Sequence, residues 1–155
     1  MRYADSDISA MRTALELAQQ SLLADDDDVP VGALIIGPAG DVIASSANRR
    51  EALTDPTAHA EVVVLREAAL ALDDTHLVGC TLVVTLEPCP MCAGAAQLAR
   101  VDRVVFGAWN EEYGAAGSAW DLLRDRRLSH RPEVVGGILD EECGSLVREF
   151  FARRR

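Results

Sequence analysis

Two short segments hold the side chains best suited to chemistry: His59-Ala60-Glu61 and Pro88-Cys89-Pro90-Met91-Cys92. Cys89 and Cys92 are three residues apart, so in a first helical turn both sulfurs face the same way. A helix N-terminus also favours thiolate over thiol, the form that binds zinc. With the His59 imidazole they make three ligands suited to Zn²⁺. Two thiolates balance the ion's charge, and the fourth tetrahedral position stays open. Water held there is acidified to a pKa of about 7, which supplies hydroxide at neutral pH. Glu61, two residues beyond His59, is placed to take a proton from that water and return it to a ring nitrogen and then a leaving amine, which is general acid–base work. Glu87, just before Pro88, reads as a brace for the metal loop through backbone contacts.

Two plainer readings compete. A structural zinc would be closed by a fourth protein ligand, for which His76, Cys80, His130 and Cys143 are available, although none has motif spacing to the cluster. A non-catalytic zinc module is the other, and Glu61 argues against it, because a structural site needs no unliganded carboxylate beside the metal.

The elements that must position these groups follow from pattern. Ile8, Met11, Leu15, Ala18 and Leu22 recur at helical spacing, with Ser6 or Asp7 as candidate cap. The run Asp25 to Asp28 then reads as an exposed loop. Residues 31–37 and 42–47 form a hairpin around Pro38-Ala39-Gly40-Asp41. Helices are expected at 58–72, 89–99 and 140–152, strands at 81–85, 101–106 and 134–135, and a Gly/Ala-rich loop around 114–117. Met91 reads as a core filler and His130 as a loop histidine satisfied by hydrogen bonds. This order indicates an α/β fold, one sheet covered by helices on both faces.

Length and composition set the outer limits. The chain has 155 residues, 49% hydrophobic and only 5% aromatic, so Ala, Val and Leu must fill a single domain's core. No apolar run reaches the ~20 residues of a membrane span. The first twenty residues lack a basic start followed by an apolar stretch. Four cysteines are too few and too unevenly placed for a disulfide scaffold. A cytoplasmic protein is the expectation.

Several longer segments carry a family resemblance. The two metal segments match the H-x-E … P-C-x-x-C signature of zinc nucleobase deaminases. Val29-Pro30-Val31-Gly32-Ala33, Asn48, Asp55-Pro56-Thr57-Ala58-His59-Ala60-Glu61, Thr85-Leu86-Glu87-Pro88-Cys89-Pro90-Met91-Cys92-Ala93-Gly94-Ala95, Val105-Phe106-Gly107-Ala108, Gly114-Ala115-Ala116-Gly117-Ser118, Ser129-His130-Arg131 and Phe150-Phe151 resemble the bacterial tRNA adenosine deaminases of the cytidine/deoxycytidylate deaminase superfamily. The resemblance implies a three-layer α/β/α cytidine-deaminase-like fold with a central mixed five-stranded sheet. It implies one Zn²⁺ on His59, Cys89 and Cys92, Glu61 as proton shuttle, and a homodimer converting the wobble adenosine of a tRNA anticodon stem-loop to inosine. It also implies substrate contacts from Asn48, Val29, Pro30, Ala60 and Asn110, and RNA contacts from Phe150, Phe151 and Arg154. Asn48 could otherwise cap a strand end, and at least one Phe is expected to anchor the last helix.

A free-base deaminase of the guanine type shares the same core motifs and is the main alternative. The segment 106–118 and the Phe-Phe-Arg ending favour tRNA. Trp109-Asn110-Glu111-Glu112 departs from the family, which carries an aspartate and basic residues there; Glu111 and Glu112 would repel a phosphate that they faced. The net charge of −10, taken over the whole chain, argues against RNA. All 15 basic residues are arginine, however, and the excess acid lies wholly in residues 1–99, while 100–155 is neutral. Within that neutral part, 124–131 and 148–155 each carry +3, which predicts basic patches beside the active site.

Overall fold

The computed structural model describes residues 2–24 and 27–154. Asp25 and Asp26 of the acidic run, and Arg155 of the second basic patch, lie outside the described residues. The elements run α1 (Asp5–Leu23), β1 (Gly32–Ile36), β2 (Val42–Ala47), α2 (Ala60–Leu72), β3 (Thr81–Leu86), α3 (Pro90–Leu98), β4 (Arg103–Ala108), a 3-10 turn (Leu122–Arg124), β5 (Glu133–Val135) and α4 (Asp140–Arg153). The strands form one sheet ordered β2-β1-β3-β4-β5. β1 is antiparallel to β2 and β3, whereas β3–β4 and β4–β5 are parallel, so the sheet is mixed.

Alternation along the strands divides the core in two. Ala33, Ile35, Leu82, Val84, Val104 and Phe106 point to the face covered by α2 and α3, with Val64, Ala68, Ala93 and Ala96 packed on them. Leu34, Val83 and Val105 point to the other face, under Met11, Ala14 and Leu15 of α1 and Cys143, Leu146 and Phe150 of α4. A sheet covered on both faces needs apolar side chains in both directions, which is why β3 and β4 read as unbroken apolar runs. This is the expected three-layer arrangement, and small side chains let the helices sit close. At Gly32 an added Cβ would overlap the Ala14 carbonyl, so α1 rests directly on the β1 backbone.

Local details differ from the expected ones. α1 starts at Asp5 with Ala4 at the cap position and no side-chain cap, displacing Ser6 and Asp7 from that role. Asp7 is buried and accepts two bonds from the Arg103 guanidinium, at 3.0 and 2.8 Å. Asp28, expected in an exposed loop, is also buried; its carboxylate accepts from the Glu51 and Ala52 amides at 2.7 and 3.1 Å. Buried acids persist where such donors replace water. Met91 is exposed rather than core, because it sits on the outer side of α3. His130 is satisfied as expected, with Nε2 2.7 Å from the Val101 carbonyl.

Candidate active site

The C-terminal ends of β3 and β4, neighbouring parallel strands, open onto a cleft of about 760 Å³. Crevices at strand C-termini are the usual ligand sites of α/β sheets. Two helices start there. His59 occupies the N-cap position of α2, and Cys89 that of α3, followed by Pro90 in the first turn. Proline suits that position because its missing N–H would have no partner in the helix. Both helix N-termini therefore present their positive ends to the site.

His59 Nδ1 lies 3.6 Å from Cys89 Sγ and 3.5 Å from Cys92 Sγ. Tetrahedral zinc, with Zn–N near 2.0–2.1 Å and Zn–S near 2.3 Å, sets its nitrogen and sulfur ligands about 3.6 Å apart. The donor set and its spacing thus fit the ion. His76, Cys80, His130 and Cys143 stand outside this group among the described residues, so the proposed fourth ligands of a structural site are not brought to it. The Cys89 thiol is lowered to about 4, chiefly by the hydrogen bond from Cys92 and also by His59. Cys92 moves the opposite way for the same reason, with burial and the nearby Glu61 adding to it. A metal bound by both sulfurs displaces the proton remaining between them.

Glu61 is 4% exposed, and its Oε2 accepts from Cys92 Sγ at 3.4 Å. Burial raises its carboxyl above the usual carboxylate range, which suits a group that must both accept and release a proton near neutrality. Glu87 takes a different part. Its buried carboxylate accepts from the amides of Asn110 (2.9 Å), Ala116 (3.1 Å) and Ser118 (2.9 Å), and from the Ser118 hydroxyl. It thereby binds the 110–118 loop against the start of α3. A Cβ at Gly114 would overlap that carboxylate, so glycine is required there.

The remaining expected contacts divide. Asn48, Val29, Ala60, Asn110 and Phe151 line the cleft. Asn48, directly after β2, ties back to the segment before β1, its Nδ2 donating to the Val29 carbonyl at 3.3 Å and its Oδ1 accepting from the Arg50 amide at 3.1 Å. Pro30 is buried and does not line the cleft. Phe150, 4% exposed, packs under α1, and the Arg154 guanidinium lies 3.6 Å from its ring centroid and 3.5 Å from Asp27. Neither Phe150 nor Arg154 lines the cleft. The basic patches are mostly elsewhere too: Arg148 lines the cleft, and no residue of 124–131 does. Arg124 and Arg127 pair locally with Asp121 and Asp125. Glu111 and Glu112, by contrast, do line it.

Trp109, Tyr113 and Arg50 also line the cleft, as does Arg148; Arg148 belongs to the basic stretch 148–155 and Trp109 to the segment that departs from the family, whereas Tyr113 and Arg50 carry no mark by type or spacing. Trp109 directly follows β4, and Arg148 precedes Phe151 by one helical turn; those positions were the available signals.

The cytidine and deoxycytidylate deaminase zinc-binding region matches residues 4–108. The chain belongs to this family. The family's zinc fits the His59, Cys89 and Cys92 trio, whose donor atoms lie within 4.8 Å of one another, close enough to ligate one ion. The tRNA-specific adenosine deaminase of Bacillus subtilis is 44% identical over 145 residues, covering 94% of this chain and 88% of that protein. A tRNA(Ile)-lysidine synthase from Deinococcus deserti is 47% identical over 147 residues, covering 95% of this chain; the chain spans only 27% of that protein's length. A solved structure from work on A-to-I editing by tRNA:A34 deaminases at the wobble position of transfer RNA superposes with a TM-score of 0.83 at 39% identity, over 89% of this chain and 98% of that one. Guanine deaminase from Nitrosomonas europaea gives 0.76 at 27% identity, over 98% and 87%.

Proposed function

We propose that the protein deaminates the wobble adenosine of a tRNA anticodon hydrolytically, giving inosine and ammonia. The observation that carries this reading is the near end-to-end likeness to the Bacillus subtilis tRNA-specific adenosine deaminase, joined to a metal trio with a buried carboxylate beside it. Zinc, when bound, supplies the Lewis acidity that makes water nucleophilic at neutral pH. Glu61 takes the proton from that water, passes it to the purine ring nitrogen and then delivers a proton to the departing amine. Asn48, with Val29 and Ala60, orients the flipped base, and Asn110, which lines the same cleft, contacts it as well. The buried surroundings of Glu61 keep bulk water from competing for its proton.

The active unit is a single deaminase domain over residues 1–155, working as a homodimer in the cytoplasm. Leu70 on α2 and Met91 and Leu98 on α3, left exposed, support pairing with a second copy. Four free cysteines suit a reducing compartment, and no described helix is long and apolar enough to cross a membrane.

The guanine-type alternative has one observation in its favour. Glu111 and Glu112 line the cleft, which suits an uncharged base better than a phosphate chain. Purified enzyme offered an anticodon stem-loop and free guanine separates the two: inosine formation with guanine untouched is expected, and the reverse result overturns the tRNA reading.

A further inference from the structure

Proteins usually hold RNA through Lys and Arg contacts to phosphate, and this cleft has few to offer. Arg50 and Arg148 line it, yet Arg50 is paired with Glu51 at 2.5 Å and Arg148 with Glu141 at 2.6 Å. Glu111 and Glu112 add negative charge to the same walls.

Aromatic surface is concentrated there instead. The chain has only two Trp, two Tyr and three Phe. Trp109, Tyr113 and Phe151 all line the cleft, and they are 46%, 57% and 50% exposed. Each ring is carried on anchored backbone. The Trp109 amide donates to Asp140 Oδ1 at 3.2 Å, and its indole meets Phe106 edge-on with centroids 4.8 Å apart. The Tyr113 amide donates to Asn110 Oδ1 at 3.1 Å, within the loop that Glu87 holds. Phe151 stands edge-on to buried Phe150 at 5.2 Å. The ring contacts of Trp109 and Phe151, and the anchored backbone beneath Tyr113, reduce the conformational freedom lost when something stacks on them.

Resting on the tRNA reading above, we propose that Trp109 and Tyr113, with Phe151, form a stacking platform for the unpaired bases that flank the target adenosine. The RNA loop is then gripped at this cleft by base stacking in place of phosphate charge. Every base has a π-face, so such a grip tolerates any flanking sequence, and the acidic side chains are no obstacle to a splayed base whose phosphate points away.

The test uses zinc-loaded protein and a synthetic anticodon stem-loop, intact or with abasic riboses at the two positions flanking the adenosine. Binding is followed by fluorescence anisotropy and inosine formation is read separately. Trp109→Ala and Tyr113→Ala should each weaken binding about 5- to 100-fold, raising KM with little change in kcat. Trp109→Phe should bind close to wild type. Abasic flanks should weaken wild-type binding by a similar factor and cost the alanine variants little more. Tyr113→Ala keeps the test available if loss of the Trp109–Phe106 contact prevents folding. Alanine variants that bind like wild type, or ring and base penalties that multiply independently, overturn the platform. A Tyr113→Ala protein that turns from dimer to monomer with RNA affinity unchanged assigns the rings to contact between copies, and also overturns it. A stem-loop bound through these rings yet never deaminated counts against the tRNA reading alone, while one not bound at all overturns both.

Discussion

Cys92 Sγ lies 3.4 Å from Glu61 Oε2, and both side chains are buried. The carboxylate is thus in contact with a metal-binding sulfur without being part of the ligand group. On the proposed reaction this places metal binding and proton transfer on different side chains, and a substitution can address one without the other.

Glu61→Gln preserves the shape of the side chain but cannot carry a proton. Zinc content should remain one per chain by elemental analysis, while kcat for inosine formation falls about 10²- to 10⁴-fold. A Gln variant with full turnover would falsify the assignment of Glu61.

Removing the metal should expose a single reactive thiol first. Cys89 is half-buried and lowered to about 4, whereas burial raises Cys80, and Cys143 to about 12. Since the thiolate is the nucleophile, chelator-treated protein given iodoacetamide should be alkylated at Cys89 ahead of the others, and zinc-loaded protein should be protected. Peptide mapping by mass spectrometry reads the order; early modification of Cys143 contradicts it.

Glu87→Ala strips the acceptor from the Asn110, Ala116 and Ser118 amides. The Ala116 amide is buried, and leaving it unpaired costs about 1–3 kcal/mol, while Asn110 and Ser118 are partly open to water, so the melting temperature should fall by roughly 2–10 °C. Turnover should drop with it, because the loop carrying Asn110 loses its tether. Gly114→Ala should produce the same pair of effects from the other side of the contact, since its Cβ enters the space of the Glu87 carboxylate.

Far from the site, Gly32→Ala forces a methyl against the Ala14 carbonyl. α1 must lift from β1, at a cost of about 1–3 kcal/mol for overpacking. Thermal melts should show the loss, and zinc content should stay unchanged; an unaltered melting curve would mean that α1 is not seated on β1 as described.

The sequence by itself pointed to the His59, Cys89 and Cys92 trio, to Glu61 beside it and to the layered sheet. These depend on short-range relations: two ligands within one helical turn, a carboxylate two residues past a histidine, and apolar periods of strand and helix. Such relations survive in any fold that keeps the local element, so spacing alone can reveal them. Tertiary structure decided what faces the cleft. Phe150 and Phe151 are neighbours on α4 and point about 100° apart, so only the docking of α4 sends Phe150 into the core and Phe151 to the cleft. Asp28 is buried by amides 23 and 24 positions away in the chain, and Pro30 is turned from the cleft that Val29 lines. The charge reading holds only in part, since Arg148 of the second basic stretch lines the cleft and no residue of 124–131 does. The acids that pair with Arg124 and Arg148 lie three and seven residues away in the chain, but whether a charged stretch faces the cleft, as Glu111 and Glu112 do, is set by how distant segments meet. Local geometry is written in neighbouring residues, whereas a surface is made by segments whose mutual placement follows from packing of the whole core.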